Sequence, residues 1–340
     1  MKLTKDTLAE IAHGAVRVEE ENGKIKFFRF SEEQQMLYKN SGNESFYRKT
    51  FAPSGIKLEF ETDSKSLYIK VNVSPSTTRS YFSIDICVNG ELAGCLKNFD
   101  EEEMTGDYPA KSFPLGTFEN RFELTTGEKT VTVFLPWSVT LELEEFSLDD
   151  GSFVKAVAKD KKMLVFGDSI TQGYDAIHPS NHYISALSGL LNAEACNKAI
   201  GGEKFIPDLV KTDEAFNPDY IIVAYGTNDW AHDDKDKFKR NCKEFYELLS
   251  RKYPDSKIFA LTPIWRKNYK EPNNCGEFSF IADYIKEVTE GLDNILCING
   301  FNFIPHDENM YGDLRLHPND EGFKHYAKNV YEEIKRSKQI

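Results

Sequence analysis

The chain has 340 residues and carries 42 Lys and Arg against 55 Asp and Glu, a formal net charge of −13 at pH 7. That length exceeds one typical domain, so two are expected, each able to bury a sizeable core. The acidic balance argues against a nucleic-acid or anionic-membrane partner, which would be repelled, and no basic patch is visible.

Met1 to Val18 mixes charged and apolar residues and lacks the apolar core of a signal peptide, so a cytoplasmic location is expected. From there to about residue 155 the chain reads as strands and turns. Ile56 to Thr62, Ser66 to Val73, Tyr81 to Val88 and Lys129 to Phe134 are rich in β-branched and aromatic residues. Phe82, Ile84, Ile86 and Val88 share one face of a strand, with Ser83, Asp85 and Cys87 on the other. Asn89-Gly90 marks a hairpin into Leu92 to Leu96, since a type I′ turn needs positive φ twice; Thr126-Gly127 marks another. Thr140 to Leu148 reads as the last strand. With no convincing long helical pattern, residues 1–155 are expected to form a β-sandwich or jelly roll. The acidic loop Asp100 to Glu103 reads as a solvated face, and Asp149-Asp150-Gly151 with Lys159, Lys161 and Lys162 as the linker.

Over residues 160–340 the pattern switches to strand–helix alternation. Strands are expected at Met163 to Phe166, Glu194 to Asn197, Tyr220 to Ala224, Lys257 to Leu261 and Ile295 to Ile298, giving a parallel three-layer α/β sheet. The clearest helix is the last, where Phe323, Tyr326, Ala327, Val330, Tyr331 and Ile334 recur at helical spacing behind an Asn319 or Asp320 cap. The longest apolar run, Tyr220 to Tyr225, is too short to cross a membrane. Cys87, Cys95, Cys196, Cys242, Cys275 and Cys297 show no CxxC or Cys/His spacing, so reduced thiols are expected, without a disulfide framework or zinc site.

Several strand ends carry turns with chemistry-bearing residues. Gly167-Asp168-Ser169 follows the first strand, Asn197 to Glu203 the second, Tyr225 to Asp229 the third, and Asp313 to Pro318 follows the fifth. All fall on the carboxyl edge of the sheet, where open α/β sheets bind ligands. A lone Gly-Asp-Ser is more often a helix cap than a nucleophile; the convergence of these blocks favours the nucleophile.

The blocks Gly-Asp-Ser-Ile-Thr, Asn-x-x-Ile-Gly-Gly, Gly-Thr-Asn-Asp and His-Pro-Asn-Asp, in that order from Met163 onward, resemble the SGNH, or GDSL, hydrolase family. The resemblance implies a flavodoxin-like sheet of order 2-1-3-4-5, which brings Ser169 beside Asn228. It also implies a serine nucleophile at Ser169, a base at His317 and an oxyanion hole from the Ser169 and Gly202 N–H groups and the Asn228 amide. A serine hydroxyl needs such a base, and a developing oxyanion needs preorganised donors. The family's acid lies three residues before the histidine, where this chain has Leu314. Either a one-residue bulge lets Asp313 complete the triad, or Ser169 and His317 act as a dyad; Asp307 is a weaker substitute. Trp265, Trp230 and Glu203 are candidate substrate contacts, the tryptophans as stacking walls for a sugar ring. His178, His182 and Asp229 are read as structural.

The expected function is a cofactor- and metal-independent serine esterase that removes short acyl groups, acetyl above all, from carbohydrates through an acyl-enzyme. The β-sandwich ahead of the catalytic fold is similar to the arrangement in some carbohydrate esterases. Expected partners are small-molecule or oligosaccharide esters, with no nucleic acid and no membrane; assembly as a homo-oligomer stays open. The alternatives are a lysophospholipase or thioesterase, a decayed carbohydrate-binding protein, and a phosphate-binding module that would use the Gly-Asp-Ser turn as an anion nest.

Overall fold

Alternating apolar residues build eleven short strands in the first half of the chain: β1 (Ala12–His13), β2 (Arg17–Glu21), β3 (Lys24–Phe28), β4 (Lys57–Thr62), β5 (Ser66–Pro75), β6 (Ser83–Val88), β7 (Glu91–Lys97), β8 (Gly116–Glu123), β9 (Lys129–Phe134), β10 (Val139–Leu148) and β11 (Lys155–Ala156). The computed structural model describes residues 1–338. The strands form two antiparallel sheets, one ordered β1-β4-β9-β6-β7 with β11 also pairing with β4, further along the strand than β1, the other β2-β3-β10-β5-β8. Side chains such as Phe60, Ile69, Val71, Ile86 and Val133 meet in a core exposed by 1 % or less. The β6–β7 hairpin turns at Asn89 and Gly90, with φ of 49° and 87°, as the sequence requires.

Three features depart from the sequence reading. Gly127 does sit in a turn at positive φ, but it joins β8 to β9, which belong to different sheets, so Thr126-Gly127 is a crossover rather than a hairpin. Three helices interrupt the β region: α1 (Lys5–Ile11), α2 (Glu32–Asn40) and α3 (Glu44–Lys49). The signal for α2 was a capping box, in which Ser31 and Gln34 satisfy each other's backbone N–H groups. Finally, β6 is buried on both faces, because Asp85 on its polar face accepts hydrogen bonds from Ser180 N and Oγ at 3.0 and 2.7 Å in the second half of the chain.

That second half is a parallel sheet of β12 (Lys161–Gly167), β13 (Ala193–Asn197), β14 (Tyr220–Ala224), β15 (Lys257–Leu261) and β16 (Ile295–Ile298), ordered β13-β12-β14-β15-β16. Numbered within this half, the order is 2-1-3-4-5, as expected. Helices follow the strands: α4 (Ser169–Gln172), α5 (Tyr183–Leu190), α6 (Pro207–Lys211), α7 (Thr227–His232), α8 (Lys235–Lys252), α9 (Ser279–Thr289) and α10 (Asp320–Arg336). Successive residues of β12 feed two cores: Met163 and Val165 pack with Phe323 and Val330 of α10, Leu164 and Phe166 with Phe245 and Leu249 of α8. A strand buried on both faces reads as a continuous apolar run, which is why Met163 to Phe166 stood out. Among the described residues no helix is long and apolar enough to cross a membrane, and all six cysteines are free.

The two halves interlock at the carboxyl edge of the parallel sheet. The fully buried Arg29 guanidinium donates to the Asn197 and Ala199 carbonyls at 2.7 and 2.6 Å, and Ser54 Oγ donates to Gln172 O at 2.5 Å. Trp137, just before β10, donates through Nε1 to Ala176 O at 2.9 Å.

Candidate active site

At the end of β12 the chain breaks sharply into the one-turn helix α4. Asp168 is its N-cap, with an extended backbone and a side chain that accepts from Ile170 N at 3.0 Å. A Cβ on Gly167 would lie 2.6 Å from that of Thr171, so only glycine permits the tight turn. The turn sets Ser169 as the first residue of the helix, where backbone N–H groups have no intrahelical partner. Its Oγ lies 2.9 Å from His317 Nε2. Burial pushes the Asp168 carboxyl up to about 7.

His317 Nδ1 in turn lies 2.7 Å from Asp313 Oδ2. The extra residue between them, Leu314, adopts a left-handed backbone with φ of 54°. It folds the segment into a nest in which Asp313 Oδ1 accepts from the N–H groups of Arg315, Leu316 and His317 at 3.0, 2.7 and 3.0 Å. Burial alone would raise the Asp313 carboxyl, but His317 and these N–H groups outweigh it and hold it well below the usual carboxylate range. A second carboxylate, Asp175 Oδ2, lies 3.6 Å from the same nitrogen. It is fully buried and raised by that burial, and its Oδ1 accepts from Arg79 Nε at 2.8 Å. Ligand-type atoms of Asp175, Asp313 and His317 fall within 4.8 Å of one another. Arg79 already supplies the positive charge on Asp175, and His317 faces Ser169, so the trio is built as an imidazole support.

Opposite the serine stand the oxyanion candidates. Gly202 has φ of 88°, and neither its N–H nor that of Ser169 has a hydrogen-bond partner among the described residues. Asn228, in the first turn of α7, donates through Nδ2 to Glu203 O at 3.0 Å. Its turn is possible because Gly226 at φ of 120° passes close to Ile281 and Pro263.

The proposed substrate contacts fare differently. Glu203 is fully buried, its two oxygens accepting from Tyr38 and Tyr225 hydroxyls, each at 2.5 Å. Burial pushes it up to about 8, and it braces the loop from within. Trp230 is also fully buried, donating to Gly276 O at 2.9 Å under the Arg266 guanidinium. Trp265 is 7 % exposed and stacked on His306 with centroids 5.5 Å apart, so one face of its ring is taken. A large aromatic after a strand reads alike from sequence whether it lines a crevice or fills a core.

The remaining candidates are structural. His182, pushed down to about 4 by burial, faces Ile170 O at 3.2 Å. His178 Nδ1 lies 2.9 Å from Asp85 Oδ1. Asp307 caps a turn through Asn309 N at 3.0 Å, and Asp229 accepts from Phe205 N at 3.2 Å. What sequence reasoning missed is the aromatic backing of the imidazole: Tyr174 lies 5.3 Å from the His317 ring, and Trp137, from the first half, lies 4.9 Å behind Tyr174.

A serine on a strand-to-helix turn, a half-buried His–Asp pair behind it and unpartnered N–H groups on a 2-1-3-4-5 sheet form the arrangement expected of an acyl hydrolase of the SGNH type. Residues 165–325 match the GDSL-like Lipase/Acylhydrolase family. Similar solved structures include a salicylyl-acyltransferase, SsfX3, from a tetracycline biosynthetic pathway (19 % identity over 96 % of this chain and 94 % of that one, TM-score 0.79). A GDSL-like lipase from Bacteroides ovatus ATCC 8483 is similar at 19 % identity, 99 % and 97 % coverage and TM-score 0.76. An acetyl xylan esterase, Est2A, from the rumen bacterium Butyrivibrio proteoclasticus aligns at 14 % identity, 99 % and 98 % coverage and TM-score 0.62. These likenesses extend over both halves of the chain and concern the fold. No curated protein sequence matches.

Proposed function

We propose that this acyl ester hydrolase is a serine esterase that removes short acyl groups, acetyl first among them, from carbohydrates. The observation that carries the serine mechanism is the unbroken relay from Ser169 Oγ through His317 to Asp313, at 2.9 and 2.7 Å. In this reading His317 Nε2 takes the Ser169 proton as Oγ attacks the ester carbonyl, and Asp313 stabilises the imidazolium. The negative oxygen of the tetrahedral intermediate is held by the Ser169 and Gly202 N–H groups and the free Asn228 amide hydrogen. His317 then protonates the departing alcohol, and water repeats the sequence on the acyl-enzyme. Support for a sugar ester comes from the two-part architecture shared with the acetyl xylan esterase above. The small-molecule or oligosaccharide ester is the proposed partner.

The test is hydrolysis of p-nitrophenyl acetate, butyrate and octanoate, followed by acetylated xylo- and manno-oligosaccharides, by wild type and Ser169→Ala. Acetate turnover abolished by the substitution, with release of acetate from the sugars, bears the reading out. Preference for octanoate moves the substrate to a lipid or thioester; equal turnover by Ser169→Ala removes the serine mechanism.

A further inference from the structure

Lys49 is an anomaly for a sandwich helix. Its side chain is buried at 6 % exposure, and its Nζ has no acidic partner within ion-pair distance among the described residues. The nearby acid Glu203 is occupied by two tyrosines. Instead Nζ donates to the Gly201 carbonyl at 2.7 Å, across 152 residues of chain. Burying a cation without a carboxylate is costly, and apart from the Phe46 ring, whose centroid lies 5.4 Å from Nζ, the Gly201 carbonyl is the group that holds it.

Gly201 O and Gly202 N belong to one peptide unit, and every peptide bond described is trans. The carbonyl and the N–H of a trans peptide point in opposite directions. An ammonium on the carbonyl therefore fixes the direction in which the Gly202 N–H points and draws electron density away from it, making it a stronger donor. The preceding peptide is pinned as well, since Gly201 N donates to Gln172 Oε1 at 2.7 Å and Gln172 Nε2 to Trp137 O at 3.1 Å. A Cβ on Gly201 would strike the Tyr174 ring at 2.6 Å, so that ring lies directly against Gly201.

We propose that Lys49 is the positioning residue of the oxyanion hole: it orients and polarises the Gly201–Gly202 peptide, and its buried charge is balanced when the substrate oxygen becomes negative. The inference rests on the serine-esterase reading above. Burial pushes the Lys49 ammonium down to about 8. The charged and titratable groups around it are Arg48 on its own helix and Glu203 across from it, Arg29, which donates to the Lys49 carbonyl, and Tyr38 and Tyr225, which clamp Glu203.

The experiment compares Lys49→Met and Lys49→Arg with wild type on p-nitrophenyl acetate between pH 6 and 10. Labelling by a fluorophosphonate probe and melting temperature are measured in parallel. Loss of one strengthened donor lowers kcat by about 10–100-fold in Lys49→Met with KM changed by less than about threefold, because ground-state binding does not use the charge. Lys49→Arg recovers most of that loss, and the fall in kcat above about pH 8 in wild type is absent from it, since a guanidinium stays charged there. If Lys49→Met does not fold, the arginine variant's pH profile decides alone. Wild-type kcat in Lys49→Met, or an unchanged alkaline fall in Lys49→Arg, overturns the proposal while labelling of Ser169 still stands. Wild type left unlabelled, with Ser169→Ala equally active, overturns the esterase reading and this inference with it.

Discussion

Asp313 and His317 meet at 2.7 Å although one residue too many separates them, because Leu314 takes up the excess in a left-handed turn. The same turn gathers three N–H groups on the far carboxylate oxygen, so Asp313 is fixed before the imidazole becomes charged. Replacing Asp313 by Asn keeps the shape and removes the charge, and kcat on p-nitrophenyl acetate is expected to fall by about 10³–10⁴. Asp175→Asn, one step further from Nδ1 and already paired with Arg79, is expected to cost about tenfold or less. Equal losses in the two variants would mean that the carboxylates share the role.

Asn228 is held by Glu203 O through one amide hydrogen, which aims the other. Asn228→Ala is expected to lower kcat by about 10²–10³ with KM little changed, the usual loss of one oxyanion donor. Circular dichroism should show an unaltered fold; an unaltered kcat would take Asn228 out of the mechanism.

Much of this was legible because local chemistry and global fold agree in the second half. Met163 to Phe166 is apolar on every residue because it is covered on both faces, and α10 shows its stripe because it is covered on one. Ser169, Gly202, Asn228 and His317 were legible from their motifs, and the bulge at Leu314 from a spacing that fails by one. The first half was harder. Its helices α2 and α3 are short and polar, with few apolar repeats for a periodicity to show. Arg29 and Lys49 look like surface residues in sequence, since their partners are backbone carbonyls, several of them in the second half, which carry no sequence signal. Glu203 and Trp230 were misread for the complementary reason: a polar or amphipathic residue in a turn shows its chemistry but not whether another segment covers it.

Glu203 gives a stability test. Its carboxyl is raised by burial from 4.5 to about 8, so the neutral form is the one folding favours. The stability it contributes is complete below its unfolded value and is lost as pH rises from about 4.5 through about 8. Glu203→Gln keeps a neutral partner for Tyr38 and Tyr225 without that titration. Melting temperature is expected to favour the variant increasingly from pH 5 to pH 8; a constant difference would show that the carboxyl is ionised throughout.

The last prediction concerns how the first half supports a reaction carried out in the second. Trp137 packs on Tyr174 with centroids 4.9 Å apart, Tyr174 lies 5.3 Å from the His317 ring, and the Trp137 carbonyl holds Gln172, which holds Gly201. Gly173 at φ of 111° leaves the space for the indole, since a Cβ there would lie 3.1 Å from it. Trp137→Ala therefore empties a volume between the two halves, and a destabilisation of about 3–5 kcal/mol is expected by urea unfolding. Trp137→Phe keeps the packing but leaves the Ala176 carbonyl without its indole donor, and is expected to cost about 1–3 kcal/mol. If the aromatic wall also sets the imidazole, kcat of the alanine variant measured well below its melting temperature falls further than that of the phenylalanine variant, while both retain Ser169 labelling. Identical kcat in the two would confine Trp137 to stability and leave Tyr174 and Asp313 to position His317.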